Sequence, residues 1–151
     1  MPTLTKAGHA RFVHEHAQLV KNRVSALQDM VRMRELGDLS ENAGYRAAKG
    51  KVRRIDSRIR FIDKLLRTSR VIDPSVLAQE KVHVGARVVM HDDVRSHTYT
   101  IVDSVESDIQ HGRISLRSPM GKALVGKKVN AIVRVHTPQG VRTITIDSIS
   151  Y

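Results

Sequence analysis

The chain has 151 residues, of which 40% are hydrophobic, and carries 26 Lys and Arg against 15 Asp and Glu, a formal charge of +11. This is enough apolar material for one domain or two small ones, and too much for a disordered polybasic tail. The absence of cysteine excludes disulfide frameworks, thiolate nucleophiles and Cys-ligated zinc, and fits a reducing cytoplasm; three Tyr, two Phe and no Trp are too few for a base-stacking platform.

The first half has a helical period. Ala10, Val13, Ala17, Val20, Val24, Leu27 and Val31 recur at alternating steps of three and four, and so do Tyr45, Ala48, Val52, Ile55, Ile59, Ile62 and Leu66. These two heptad seams predict one helix over about residues 5–35 and a second that follows the connection and ends at about residue 67. The first would run about 45 Å at 1.5 Å per residue. Gly37 and Gly44 with small polar residues separate them, and so short a connection makes the helices antiparallel neighbours. The expected fold class is α+β: a helical coiled-coil hairpin over residues 1–73, a linker at about 74–79 containing Pro74, and a small antiparallel sheet domain over 80–151. Strands are expected at 87–90, 97–103, 113–116, 130–136 and 141–149, where Val, Ile and Thr concentrate between turn signals. Ser118 followed by Pro119 predicts one short helix, N-capped by the serine and ending at Gly126. No segment approaches the ~18 apolar residues of a membrane span, and the N-terminus lacks a signal-peptide core, so no membrane partner is expected.

Two side-chain groups could carry chemistry. Asp38 and Glu41, three apart at the hairpin tip, have the spacing of a capping box. Spacing alone favours the cap, but they could also supply oxygen ligands to a hard divalent cation such as Mg²⁺; two carboxylates are too few for a tight site, so any remaining ligands must come from a partner and no stable metal binding is expected of the chain alone. The second group is basic. Arg46, Arg53, Arg60 and Arg67 sit seven apart, and Asp56 and Asp63 are spaced to pair with them along the helix. From Arg46 to Arg54 there are five cations, Arg46, Lys49, Lys51, Arg53 and Arg54, and no acid, which suits either a solubilising face or phosphate contacts. The segment to Asp73 holds 16 of the 26 cations and 8 of the 15 acids, so the basic excess lies mainly there. The eight histidines show no metal-binding spacing.

Leu36-Gly37-Asp38, Ser40-Glu41-Asn42-Ala43 and Tyr45, followed by a basic heptad helix, closely resemble the tip signature of the bacterial Gre transcript-cleavage factors. A second run, Ile114-Ser115-Leu116-Arg117-Ser118-Pro119-Met120-Gly121 and then Ala123-Leu124-Val125-Gly126, resembles that family's C-terminal Ser-Pro motif, so the likeness covers nearly the whole chain. It implies an FKBP-like C-terminal domain without isomerase activity and a monomeric factor that is not itself an enzyme. Such factors bind RNA polymerase at its secondary channel and help it cleave backtracked transcripts, which rescues arrested complexes. By the same resemblance, Asp38 and Glu41 would share Mg²⁺ with the polymerase active site. Arg46, Lys49, Arg53, Arg54 and Arg60 would contact the nascent RNA 3′ end, and Ser118, Pro119 and Met120 would contact polymerase. Two positions depart from the pattern: Gly44 stands where relatives usually carry a further acid, and Arg117 where an acid or amide is expected beside the Ser-Pro loop. The first departure motivates an alternative, a channel-binding regulator that does not promote cleavage. Charge alone would also suit a nucleic-acid binder independent of polymerase.

Overall fold

The computed structural model describes residues 1–37, 42–73, 77 and 80–151. The elements in order are β1 (Thr3–Leu4), α1 (Lys6–Glu35), α2 (Ala43–Thr68), β2 (Arg70–Val71), β3 (Arg87–His91), β4 (Ser96–Val102), β5 (Arg113–Ser115), α3 (Pro119–Leu124), β6 (Ile132–Thr137) and β7 (Gly140–Ser150), with 3₁₀ turns at Ser104–Glu106 and Ile109–His111. They divide into two compact units, His9–Thr68, and Met1–Gly8 together with Ser69–Tyr151. The helical segment counted to residue 73 by periodicity therefore has flanks that pack with the sheet unit, because β1 and β2 pair in parallel there, Thr3 beside Arg70 and Leu4 beside Val71. Of the linker, residues 74–76, 78 and 79 lie outside the described residues.

In the helical unit α1 and α2 run antiparallel: Glu15 meets Arg58, Arg23 meets Asp56, and the Asn42 side chain donates to the Met33 carbonyl at 2.6 Å. On α2 the expected seam is the packed one, with Val52 and Ile62 buried and Tyr45, Ala48, Ile55, Ile59 and Leu66 half-buried. On α1 it is not. The buried and half-buried row is Phe12, His16, Leu19, Arg23, Ala26, Met30 and Met33, whereas Ala10, Val13, Ala17, Val20, Val24 and Val31 are exposed and only Leu27 of the expected set is half-buried. The true seam is shifted by one residue, or about 100° around the helix. Phe, Leu and Met offer more area to bury than Val does, which favours this face. His16 and Arg23 hid it by interrupting the apolar pattern. Both are matched from α2: Arg23 Nε lies 2.6 Å from Asp56 and His16 Nε2 lies 2.9 Å from Asp63. The same contacts correct a second expectation, since Asp56 and Asp63 reach across to α1 rather than pairing along α2 with its arginines.

The sheet unit has five strands in the order β5-β4-β3-β7-β6. Three of its four strand pairings are antiparallel as expected, but β5 runs parallel to β4, Thr100 beside Arg113. The connection between them holds both 3₁₀ turns and acts as a crossover, returning the chain to the end from which β4 started. Val88, Met90, Ile101, Ile114, Leu124, Val133, Val135, Ile144 and Ile146 form the core with Val82 and Ala86. The short helix α3 packs over β5 and β6. Ser118 caps it as the sequence predicts, its hydroxyl accepting from Gly121 N at 3.0 Å and donating to the Ser115 carbonyl at 2.7 Å.

Two buried carboxylates fix the N-terminal segment within this unit. Thr3 N donates to Asp103, Thr5 N donates to Glu106 at 2.6 Å, and the Thr5 hydroxyl donates to the other Glu106 oxygen at 2.8 Å. The same hydroxyl accepts from Gly8 N at 2.8 Å, which makes Thr5 the N-cap of α1. Glu106 thus does from a distant turn what the third helical residue does in a capping box.

Candidate functional site

The tip signature is bracketed by described residues on both sides. Gly37 has φ of +151° and is exposed. At the start of α2, the Asn42 side-chain oxygen accepts from Tyr45 N at 2.9 Å and the Asn42 carbonyl accepts from Arg46 N at 3.1 Å. Asn42 therefore fills the N-cap position that the spacing offered to the acids. Asp38 and Glu41 themselves lie outside the described residues. Gly44 marks a close approach of the two helices: a Cβ there would stand 3.1 Å from Met33 Sδ and 3.3 Å from Asn42 Oδ1. An acid at this position would have to displace the Met33 side chain.

Behind the tip, Arg46, Lys49, Lys51, Arg53, Arg54 and Arg60 are all exposed on α2. Lys49 Nζ sits 6.0 Å from the Tyr45 ring centroid, and Arg60 donates to the Ser57 hydroxyl at 3.1 Å. Among the described residues Arg53, Arg54 and Arg60 form no ion pair. The reason is the diversion of Asp56 and Asp63 to α1. The positive face is therefore longer than sequence spacing suggested, extending past Arg54 to Arg60, and can meet several phosphates in succession.

The Ser-Pro motif belongs to a separate place in the sheet unit. Ser118, Pro119 and Met120 line one side of an open cavity of about 310 Å³, whose other walls include Tyr99, Ile109, Ile114, Val135 and Pro138. Ile109 is 74% exposed at its edge. The lining is apolar with a few hydroxyls, so it suits an apolar side chain of a protein partner rather than a phosphate. Sequence inspection found the α3 wall but not Tyr99, Ile109 or the 135–138 wall, because only the β4–β5 crossover and the β6–β7 hairpin bring them together. The one available signal was Ile109, a lone branched residue in a polar run.

Elsewhere in the sheet unit, histidines pair with carboxylates: His91 with Asp147 at 2.7 Å, His97 with Asp92 at 3.2 Å, and His111 with Asp108 at 2.8 Å. The His111 hydrogen bond is the main cause holding the Asp108 carboxyl below its usual range. Backbone donation from Arg95 and Val94 holds Asp92 down at about 2. Among the described residues no three His, Asp or Glu converge as a metal site, and no helix is long and apolar enough to cross a membrane.

Comparison with known proteins matches both units. Residues 2–71 fit the family described as transcription elongation factor, N-terminal, and residues 77–151 fit transcription elongation factor, GreA/GreB, C-term. Transcription elongation factor GreA of Chloroherpeton thalassium is 37% identical over 141 residues, covering 91% of this chain and 89% of the relative. That of Trichlorobacter lovleyi is 38% identical over 151 residues, covering 98% and 96%. Among solved structures, the GreA factor homolog 1 (Gfh1) of Thermus thermophilus aligns over 99% of both chains at 26% identity with a TM-score of 0.46. With both its halves matched and relatives above 30% identity along nearly all of its length, the chain belongs to the GreA/GreB family of transcription elongation factors.

Proposed function

We propose that the protein binds RNA polymerase through its secondary channel and stimulates the polymerase's own cleavage of backtracked transcripts. The supporting observation is the division of labour at the tip: Asn42 caps α2, so the helix does not need the carboxylates of Asp38 and Glu41. Two carboxylates are the right donors for Mg²⁺ and too few to retain it alone, which fits an ion shared with the polymerase active site. When bound there, the ion supplies a Lewis acid and lowers the pKa of the attacking water. Asp38 and Glu41 would hold and orient; the nuclease activity is the polymerase's, and the chain is an activator rather than an enzyme. Arg46, Lys49, Arg53, Arg54 and Arg60 would grip the phosphates of the extruded RNA 3′ end. Ser118, Pro119 and Met120, on the wall of the apolar cavity, would dock one polymerase side chain. The protein acts as a monomer in the cytoplasm in this account.

The test is transcript shortening in a backtracked elongation complex with and without the protein. Asp38→Asn and Glu41→Gln should each lower stimulated cleavage by roughly 10- to 100-fold while leaving polymerase affinity unchanged. Normal cleavage by either variant would return that acid to a structural role. Tight binding of the unaltered protein with no shortened transcript would leave the other reading, a channel-bound regulator, for which Gly44 in place of an acid is the motive.

A further inference from the structure

An antiparallel hairpin needs one apolar seam on each helix, and α1 has two. Its packed seam runs through Phe12, Leu19, Ala26, Met30 and Met33; one residue out of phase, Val13, Val20, Val24 and Val31 keep the same heptad spacing yet are 47%, 44%, 55% and 50% exposed. Isolated exposed valines need no explanation, but a row spanning five turns does. At its distal end Leu27, Gln28, Val31, Arg32 and Glu35 line a shallow, open hollow of about 370 Å³.

The borders of this row are basic. On α1 the outer border carries His14, Lys21 and Arg32, all exposed. On the inner side, positions that follow the seam of one antiparallel helix lie beside those that follow the seam of the other. His16 and Arg23, seam positions that adjoin the valine row, reach Asp63 and Asp56 in the α2 row that follows its seam, and the same α2 row carries Lys49, Arg53 and Arg60. Among the described residues Lys21, Arg32, Lys49, Arg53 and Arg60 form no ion pair. The acids at the borders are Asp56 and Asp63, each held by its α1 partner Arg23 or His16, and Glu35 at the far end.

We propose that the exposed valine row of α1 is a docking surface for an acidic amphipathic helix of a protein partner. The 3-4 spacing accepts the apolar ridge of a helix, and two cationic borders select Glu and Asp on its flanks. A second copy of this chain is the wrong occupant, since it would set cationic borders against cationic borders. The valine row and its outer border on α1 are used by neither the tip nor the Ser-Pro cavity; only the inner border, Lys49, Arg53 and Arg60, is shared with the RNA-contacting face proposed above.

The test is fluorescence anisotropy of two labelled 28-residue helical peptides against the intact protein, both with Leu at heptad positions a and d, one with Glu and one with Lys at e and g. The acidic peptide should bind at least about tenfold more tightly than the basic one. The triple variant Val20→Gln, Val24→Gln, Val31→Gln should weaken it by about tenfold or more with unchanged circular dichroism, since Gln is at least as good a helix former as Val. Should that variant lose helix, Lys21→Glu with Arg32→Glu replaces it and must also weaken the acidic peptide. Absence of binding, equal binding of both peptides, or full binding by a folded triple variant would overturn the proposal. So would a concentration-dependent dimer in sedimentation that the valine substitutions abolish, which would assign the face to a second copy.

Discussion

Gly8 and Gly44 both stand near the start of a helix, and the same substitution should act on them in opposite directions. A Cβ on Gly8 would overlap the Glu106 carboxylate, which Thr5 holds through both its amide and its hydroxyl, so the obstacle cannot swing away. Gly8→Ala should therefore cost about 1–3 kcal/mol. At Gly44 the nearest obstacle is the Met33 thioether, a flexible end that can yield. Gly44→Ala should stabilise by roughly 0.5 kcal/mol through its higher helix propensity. Urea denaturation of the two variants beside the parent checks both signs. Asp92 gives a prediction in pH. Its carboxyl, held at about 2 by the amides of Arg95 and Val94 and further by His97, is depressed in the folded state. The stability it contributes is then complete above the ordinary carboxylate value near 4 and is lost as pH falls through about 2. Thermal melts of the parent and Asp92→Ala should differ at neutral pH and converge as the pH approaches 2.

Each helix and strand followed from local chemistry to a different extent. The five strands of the main sheet lie within one or two residues of where Val, Ile and Thr concentrate, and α3 begins just after the serine whose hydroxyl caps it. The phase of α1 did not follow, because apolar periodicity assumes that a seam is apolar throughout. Here two seam positions are His16 and Arg23, tolerable only because Asp63 and Asp56 face them, and no local pattern records a partner 33 or more residues away. These pairs are half-exposed and contribute modestly to stability, so their value lies in fixing which residues of the two helices align. A double-mutant cycle of Arg23→Ala and Asp56→Ala should give a coupling of about 0.5–1 kcal/mol, measured by denaturant unfolding. A coupling near zero would mean that apolar contacts alone set the register. The parallel β4–β5 pair was missed for a related reason, since strand direction depends on the crossover between the strands and not on either strand's composition.

The charge of +11 is unevenly used. In the sheet unit several acids are committed to local pairs or to the N-terminal segment, whereas on α2 the acids are drawn to α1 and leave a solvent-facing row of cations. If that row meets RNA, affinity for a single strand should fall with salt, and Arg53→Gln and Arg60→Gln should each lower the slope of log K against log salt by about 0.7. An unchanged slope would show that these cations make no phosphate contacts. The family was legible in two short motifs, because each is a contiguous run of residues that can be read without the fold. Composition likewise bounded the class, since net charge and cysteine content do not depend on folding. What needed the folded chain was the choice of Asn42 as the cap of α2, a local contact that spacing left open, and every assignment made by a distant partner: the cavity walls that Tyr99, Ile109 and Pro138 add to the Ser-Pro motif, and the exposure of one valine row while its neighbour is packed. Periodicity shows that a helix has an apolar face, but where two faces compete, only the area and charge offered by the opposing helix choose between them.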